Sequence, residues 1–222
     1  RNGRNARRLA AAAAIGTAAV LVAAPAAAAD GAPVGGETAT VYGDVDGDGH
    51  GGPITLREVG ENTQSLRFSF DDQTYATTFE ADTRAPLQEP RVVDIDSDGT
   101  DEVMAVKFVG ANTLTMTIWK YVPGEGIVEM TDTSGAPFEV YEGGSASAVS
   151  GYECTADHDA GQFVTLLAQQ DVPSPGEESH YTGTRTTHSV DGTTVSEESV
   201  VPVEGTDISA PPLKTDPATC AS

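Results

Sequence analysis

Basic residues are scarce in this chain: 12 Lys and Arg stand against 34 Asp and Glu in 222 residues, a formal net charge of −22. Arg1, Arg4, Arg7 and Arg8 fall in the first 29 residues, which hold no acid, so the remainder carries 8 minus 34, or −26. Such a surface repels phosphate backbones and anionic lipid headgroups, which argues against nucleic-acid and membrane-surface partners, and it attracts cations. Cysteine is limited to Cys154 and Cys220, with no Cys-His pattern nearby of the kind a thiol nucleophile needs. Beyond residue 29 no stretch is long and apolar enough to span a bilayer. Gly-x-Ser-x-Gly, His-Glu-x-x-His and a phosphate-cradling glycine loop are all missing. Gly143-Gly144-Ser145-Ala146-Ser147 reads as a linker. His50, His158, His180 and His188 match no metal-ligand spacing; His180 and His188 are expected as exposed strand residues, and Asp157-His158-Asp159 as a degenerate loop.

The N-terminus has a basic head, an Ala/Val/Leu/Ile run from Leu9 to Ala24, and Ala27-Ala28-Ala29 before Asp30. That order predicts a secretory signal peptide over 1–29, a flexible leader over 30–37 and a secreted, extracellular β domain over 38–222 with no stable membrane insertion after signal cleavage. In an oxidising compartment the two cysteines are expected to form one disulfide, Cys154–Cys220, tying the tail 204–222 to the entrance of a third repeat.

What is abundant is acid at alternate positions. Asp44-Val45-Asp46-Gly47-Asp48-Gly49 and Asp94-Ile95-Asp96-Ser97-Asp98-Gly99 set three carboxylates ahead of a glycine, with first aspartates 50 residues apart. Carboxylates so close repel one another unless a hard, oxygen-preferring cation collects them, and calcium, with six to eight oxygen ligands, is the expected ion. The register continues without a gap through Val59-Gly60-Glu61-Asn62-Thr63 against Val109-Gly110-Ala111-Asn112-Thr113. An internal repeat follows, with units at about 40–90 and 91–141 and a worn third at 150–203, where Cys154 takes the place of Asp94.

Short runs rich in Val, Ile, Thr, Phe and Tyr, separated by turn residues, predict an all-β domain. In Leu114-Thr115-Met116-Thr117-Ile118-Trp119 the even positions are expected to face a core and the odd ones to begin outside; Trp119 and Phe70 are expected as packing residues. Segments 82–90, 142–151 and 170–179 read as connectors.

In this order of acidic loop, strands and connector the chain resembles the FG-GAP or VCBS-type repeats of integrin alpha-chain propellers and secreted bacterial proteins, over about residues 40–200. The resemblance implies antiparallel propeller-blade-like repeats and a loop ligating through positions one, three, five and nine and the carbonyl of position seven. Carried over, the second loop supplies Asp94, Asp96, Asp98, the Thr100 carbonyl and Glu102; the first supplies Asp44, Asp46, Asp48 and the His50 carbonyl, with Gly52 where the ninth acid would be. An EF-hand requires an acidic twelfth residue, and Thr55 and Ala105 stand there. Three units are fewer than the four to eight blades of closed propellers, so the expectation is an incomplete or small propeller: a three-unit array, a ring closed by residues 38–42, or an association of several chains. The function implied is a non-catalytic module with structural calcium and an extracellular protein or glycan partner. The competing expectation is an extracellular calcium-dependent hydrolase of polysaccharide or phosphate esters.

Overall fold

The structure is a computed structural model that describes residues 36–145, 147–155, 162–171, 180–205, 207 and 209–221. The expected signal peptide, most of the leader and Asp157-His158-Asp159 lie outside the described residues. Within the leader, Glu37 is described and tied down: its carbonyl accepts the Glu58 amide at 3.2 Å and its carboxylate the Leu87 amide at 2.8 Å.

The fold is all-β, and no described residue is α-helical. Strands β1 (Thr38–Gly43), β2 (Gly52–Gly60), β3 (Thr63–Phe70) and β4 (Gln73–Glu80) form an antiparallel meander in chain order. Strands β5 (Arg91–Val93), β6 (Glu102–Val109), β7 (Thr113–Val122) and β8 (Gly126–Glu129) repeat it. The two share a register: Ile54 pairs Phe68 and Leu56 pairs Leu66, as Met104 pairs Ile118 and Val106 pairs Met116. After β9 (Thr131–Asp132) and β10 (Glu139–Ser145), a third meander runs β11 (Ala148–Thr155), β12 (Gln162–Gln170), β13 (Tyr181–Asp191) and β14 (Thr194–Gly205). Strand β10 pairs with the first half of β7 and with β11, which joins the second and third units into one ten-stranded sheet.

Residues 142–145 and 148–151 of the expected connector are therefore strand. Gly143 and Gly144 sit at φ of 115° and 143°, and a Cβ on either would meet the carbonyl oxygen of Asn112 or Ala148 at 2.3 or 2.1 Å. Glycine is there because neighbouring backbone comes too close for any side chain, a constraint that composition alone reads as a linker. Cys154 also moves: opposite Phe163 within β11 it holds the ladder place of Val92 opposite Val103, not that of Asp94.

The units stack by one recurring interface. The face of the first unit bearing Ile54, Leu56, Leu66 and Phe68 packs on the face of the second bearing Val103, Ala105 and Trp119. The opposite face of the second, with Met104, Val106, Met116 and Ile118, packs on Tyr152 and Phe163 of the third. Strands β6 and β7 are thus buried on both sides, and Thr117 and Trp119 are inside with their even-numbered neighbours. Trp119 packs as expected; single-strand alternation missed Thr117 because the covering layer comes from 50 residues earlier. The stack is open, with no sheet closed into a barrel, and among the described strands β1 pairs only with β2, so the ring closed by residues 38–42 is not formed. Its first outer face carries Thr40, Thr55, Arg57, Ser65 and Arg67. Its last, around Leu166, Ala168, Tyr181 and Val203, is covered by the C-terminal segment through Ala210 and Leu213. Terminal units of a repeat stack need such caps, because their outer faces have no neighbour to bury them.

Two-sided burial of β7 predicts that Trp119→Ala costs about 3–5 kcal/mol, whereas Tyr42→Ala on the exposed first face costs no more than about 0.5 kcal/mol. Urea denaturation of both variants checks the contrast, and a small loss at Trp119 would contradict the stacking.

Candidate metal centre

The two acidic loops each join the first and second strands of a unit, and they share their backbone conformation at two positions. Their fourth residues, Gly47 and Ser97, lie at φ of 75° and 56°, and their sixth, Gly49 and Gly99, at 84° and 82°. Left-handed positions at the sixth residue explain the glycine there in both copies. The hydrogen bonds repeat as well: the Gly49 and Gly99 amides donate to Oδ2 of Asp44 and Asp94 at 2.7 and 3.2 Å. The His50 and Thr100 amides donate to Oδ1 of Asp48 and Asp98, each at 2.7 Å.

In the first loop, Asp44, Asp46 and Asp48 each offer an oxygen within 4.8 Å of the others. Both Asp44 oxygens already accept loop amides, from Gly47, Asp48 and Gly49. The His50 ring is exposed, with Nδ1 at 3.2 Å from the Asp48 carbonyl oxygen. In the second loop the converging set is Asp94, Asp96 and Glu102, the last fully buried. Asp98 is turned to the rim, and Glu102 also accepts the Ile95 amide at 3.1 Å.

Lys120, on β7, enters this second cluster. Its Nζ donates to Glu102 Oε1 at 2.6 Å, Asp96 Oδ2 at 2.9 Å and Asp98 Oδ2 at 3.0 Å. Burial works against the ammonium, but the carboxylates of Glu102 and Asp96 outweigh it and raise its pKa. Burial pushes Glu102 up to about 7 against the pull of Lys120, and it raises Asp94, with the charges of Asp96 and Asp98 adding to the shift. Two buried oxygens, Asp94 Oδ1 and Asp96 Oδ1, have no hydrogen-bond partner among the described residues. One ammonium thus bonds three of the four carboxylates and leaves two oxygens without a donor among the described residues.

Sequence reasoning missed Lys120, which aligns with Phe70 of the first unit; the visible signal was a lone charged residue between Trp119 and Tyr121 in a strand otherwise made of apolar residues, tyrosine and threonine. It also missed Asp101, which clips the loops together: its amide donates to the Asp44 carbonyl at 2.8 Å and its Oδ2 accepts the Asp44 amide at 2.6 Å. The tail reaches the same place. Cys154 and Cys220 are bonded, as expected, and the Cys220 carbonyl accepts the Asp94 amide at 3.1 Å. The bridge therefore anchors the first residue of the second loop.

The chain matches no protein-family model, and no curated protein or solved structure matches it.

Two outcomes are expected. Lys120→Met leaves the buried Glu102 without its counter-charge and costs about 3–5 kcal/mol, most of which Lys120→Met/Glu102→Gln recovers; a double-mutant cycle in urea measures both. Reducing Cys154–Cys220 speeds amide exchange at Asp94, while Asp44, held by Asp101, keeps its protection; hydrogen exchange by NMR reads the difference.

Proposed function

We propose that this chain is a secreted, non-catalytic β-repeat module of the FG-GAP or VCBS type, stabilised by calcium in its acidic loops, and that it works by binding another extracellular molecule. The observation that carries the reading is the pair of buried oxygens without a donor among the described residues, Asp94 Oδ1 and Asp96 Oδ1, on two carboxylates that converge with Glu102. A buried carboxylate oxygen without a partner is costly. A divalent cation bound by Asp94, Asp96 and Glu102 would satisfy both, and with Lys120 it would bring the four carboxylates of this loop close to neutrality. All the converging atoms are oxygens, the donor set that calcium prefers over zinc or copper. When bound, the ion supplies charge neutralisation and a fixed loop, not a reactive water. Three four-stranded antiparallel meanders, two with such a loop between their first and second strands, support the blade-like part of the reading.

The first loop is the weaker of the two, because Gly52 replaces the ninth acid and the Asp44 oxygens are already taken by amides. A second reading, favoured by the three short contacts of Lys120, makes that ammonium the resident cation of the second loop and leaves no place for a metal there.

Calcium at a hundredfold excess over its Kd should stabilise the chain by about 2.7 kcal/mol per site. Differential scanning calorimetry with calcium and with chelator measures this. Asp96→Ala should abolish more of the calcium-dependent rise in Tm than Asp46→Ala. An unchanged Tm in chelator, together with loss of stability in Lys120→Met, selects the ammonium reading.

A further inference from the structure

His188 is buried, contrary to its expectation as an exposed strand residue. It lies on β13 at a register shift between Thr187 and His188, the kind of bulge that re-aims a side chain. Only 7% of the residue is exposed, and the ring sits edge-on to Phe138 with centroids 5.1 Å apart. Its Nε2 is 2.8 Å from Thr165 Oγ1, while Nδ1 is buried and has no partner among the described residues.

The surroundings form a cleft of about 510 Å³ at the place where β10 faces β13 and β14, walled by Phe138, Glu139, Tyr141, His188 and Glu197. A recess of about 170 Å³ on Thr165 and Thr186 shares those five walls. The larger cleft falls in the volume range of small-molecule sites. Glu139 is held in place by Lys107 Nζ at 3.0 Å and the Tyr141 hydroxyl at 2.8 Å. Glu197 stands opposite His188 in the ladder and is exposed at the rim.

Chemistry narrows the occupant. The Thr165 hydroxyl can donate to Nε2 or accept from it, so Nδ1 is left either as a donor or as an acceptor, and a hydroxyl group satisfies both cases. Burial lowers the His188 pKa, the charge of Glu197 opposing it, so the ring is neutral near pH 7 and offers no charge to an anion. Glu139 and Glu197 repel anions and accept from hydroxyls. Among the described residues these carboxylates do not converge with His188 into a metal-sized cluster, unlike the two aspartate loops. The rings of Phe138 and Tyr141 offer apolar faces to the C–H side of a sugar ring.

We propose that this cleft binds a neutral, hydroxyl-rich ligand of mono- or disaccharide size, its hydroxyls donating to Glu139 and Glu197 and one of them bonding His188 Nδ1 as binding opens the side-chain cover over that atom. The site is separate from the acidic loops and does not rest on their holding calcium.

The test is a titration of the full chain with D-glucose and cellobiose, with acetate as an anionic control, followed through the His188 imidazole nitrogens by long-range proton–nitrogen NMR. A saturable shift of Nδ1 with a sugar and none with acetate is expected. Glu197→Gln, a rim substitution that the fold tolerates, should weaken binding about tenfold, the size of one lost charged hydrogen bond. His188→Asn should abolish it. An Nδ1 resonance indifferent to both sugars, as an ordered water alone would leave it, overturns the proposal. So does a shift reproduced by acetate, or an affinity untouched by Glu197→Gln.

Discussion

Everything in this chain hangs on a hairpin buried from both sides. Strands β6 and β7 give Val103, Ala105 and Trp119 to the first unit and Met104, Val106, Met116 and Ile118 to the third. Neither neighbour could bury its own inner face without that layer, since a lone antiparallel meander hides only one side of itself by pairing with another. The middle unit also carries the chemistry: Glu102 opens β6 and Lys120 lies near the end of β7, so the core that fixes the hairpin fixes the charges as well.

The same interface explains why three units suffice in an open stack. Each unit offers the next an equivalent face, which leaves one unpaired face at either end. Threonine, serine and arginine make the first end tolerable in water, and the C-terminal segment covers the last. That cover fits closely: a Cβ on Gly151 would meet Thr215 Oγ1 at 2.1 Å, and Arg185 donates to the Pro212 carbonyl at 3.2 Å. The Cys154–Cys220 bridge then returns the chain from this cap to the Asp94 amide, so one covalent link serves both the end of the stack and the mouth of its middle unit.

The two acidic loops show how a repeat diverges without losing its shape. Backbone conformation at the fourth and sixth positions is kept although Ser97 replaces Gly47, because the aspartate-to-amide hydrogen bonds hold it. Electrostatics did change. Where the first unit has Phe70 and Gly52 the second has Lys120 and Glu102, a buried ion pair in place of an aromatic packing site against Tyr75 and Tyr121. A buried pair of this kind is weak evidence for added stability but costly to break, and it commits the second loop to charge chemistry that the first lacks.

Local pattern was enough for much of this. Strand formers between turn residues identified nearly every strand; the spacing of Asp44 and Asp94 revealed the repeat, and the two cysteines their bridge, because each is a property of neighbouring residues or of a small count. What depended on distant segments stayed hidden. The end of β10 and the start of β11 looked like linker because Gly143 and Gly144 answer to backbone from Asn112 and Ala148, and Gly151 to Thr215 of the tail. Thr117 on β7 looked exposed because its cover is an earlier unit. His188 looked like a solvent residue because Phe138 and Phe163 reach it only in the fold. The aspartates and Glu102 declared a charge problem in the linear chain; that Lys120 would meet it, and which oxygens would remain unsatisfied, was decided by the packing that brings a residue of β7 within hydrogen-bonding distance of a loop 24 residues away.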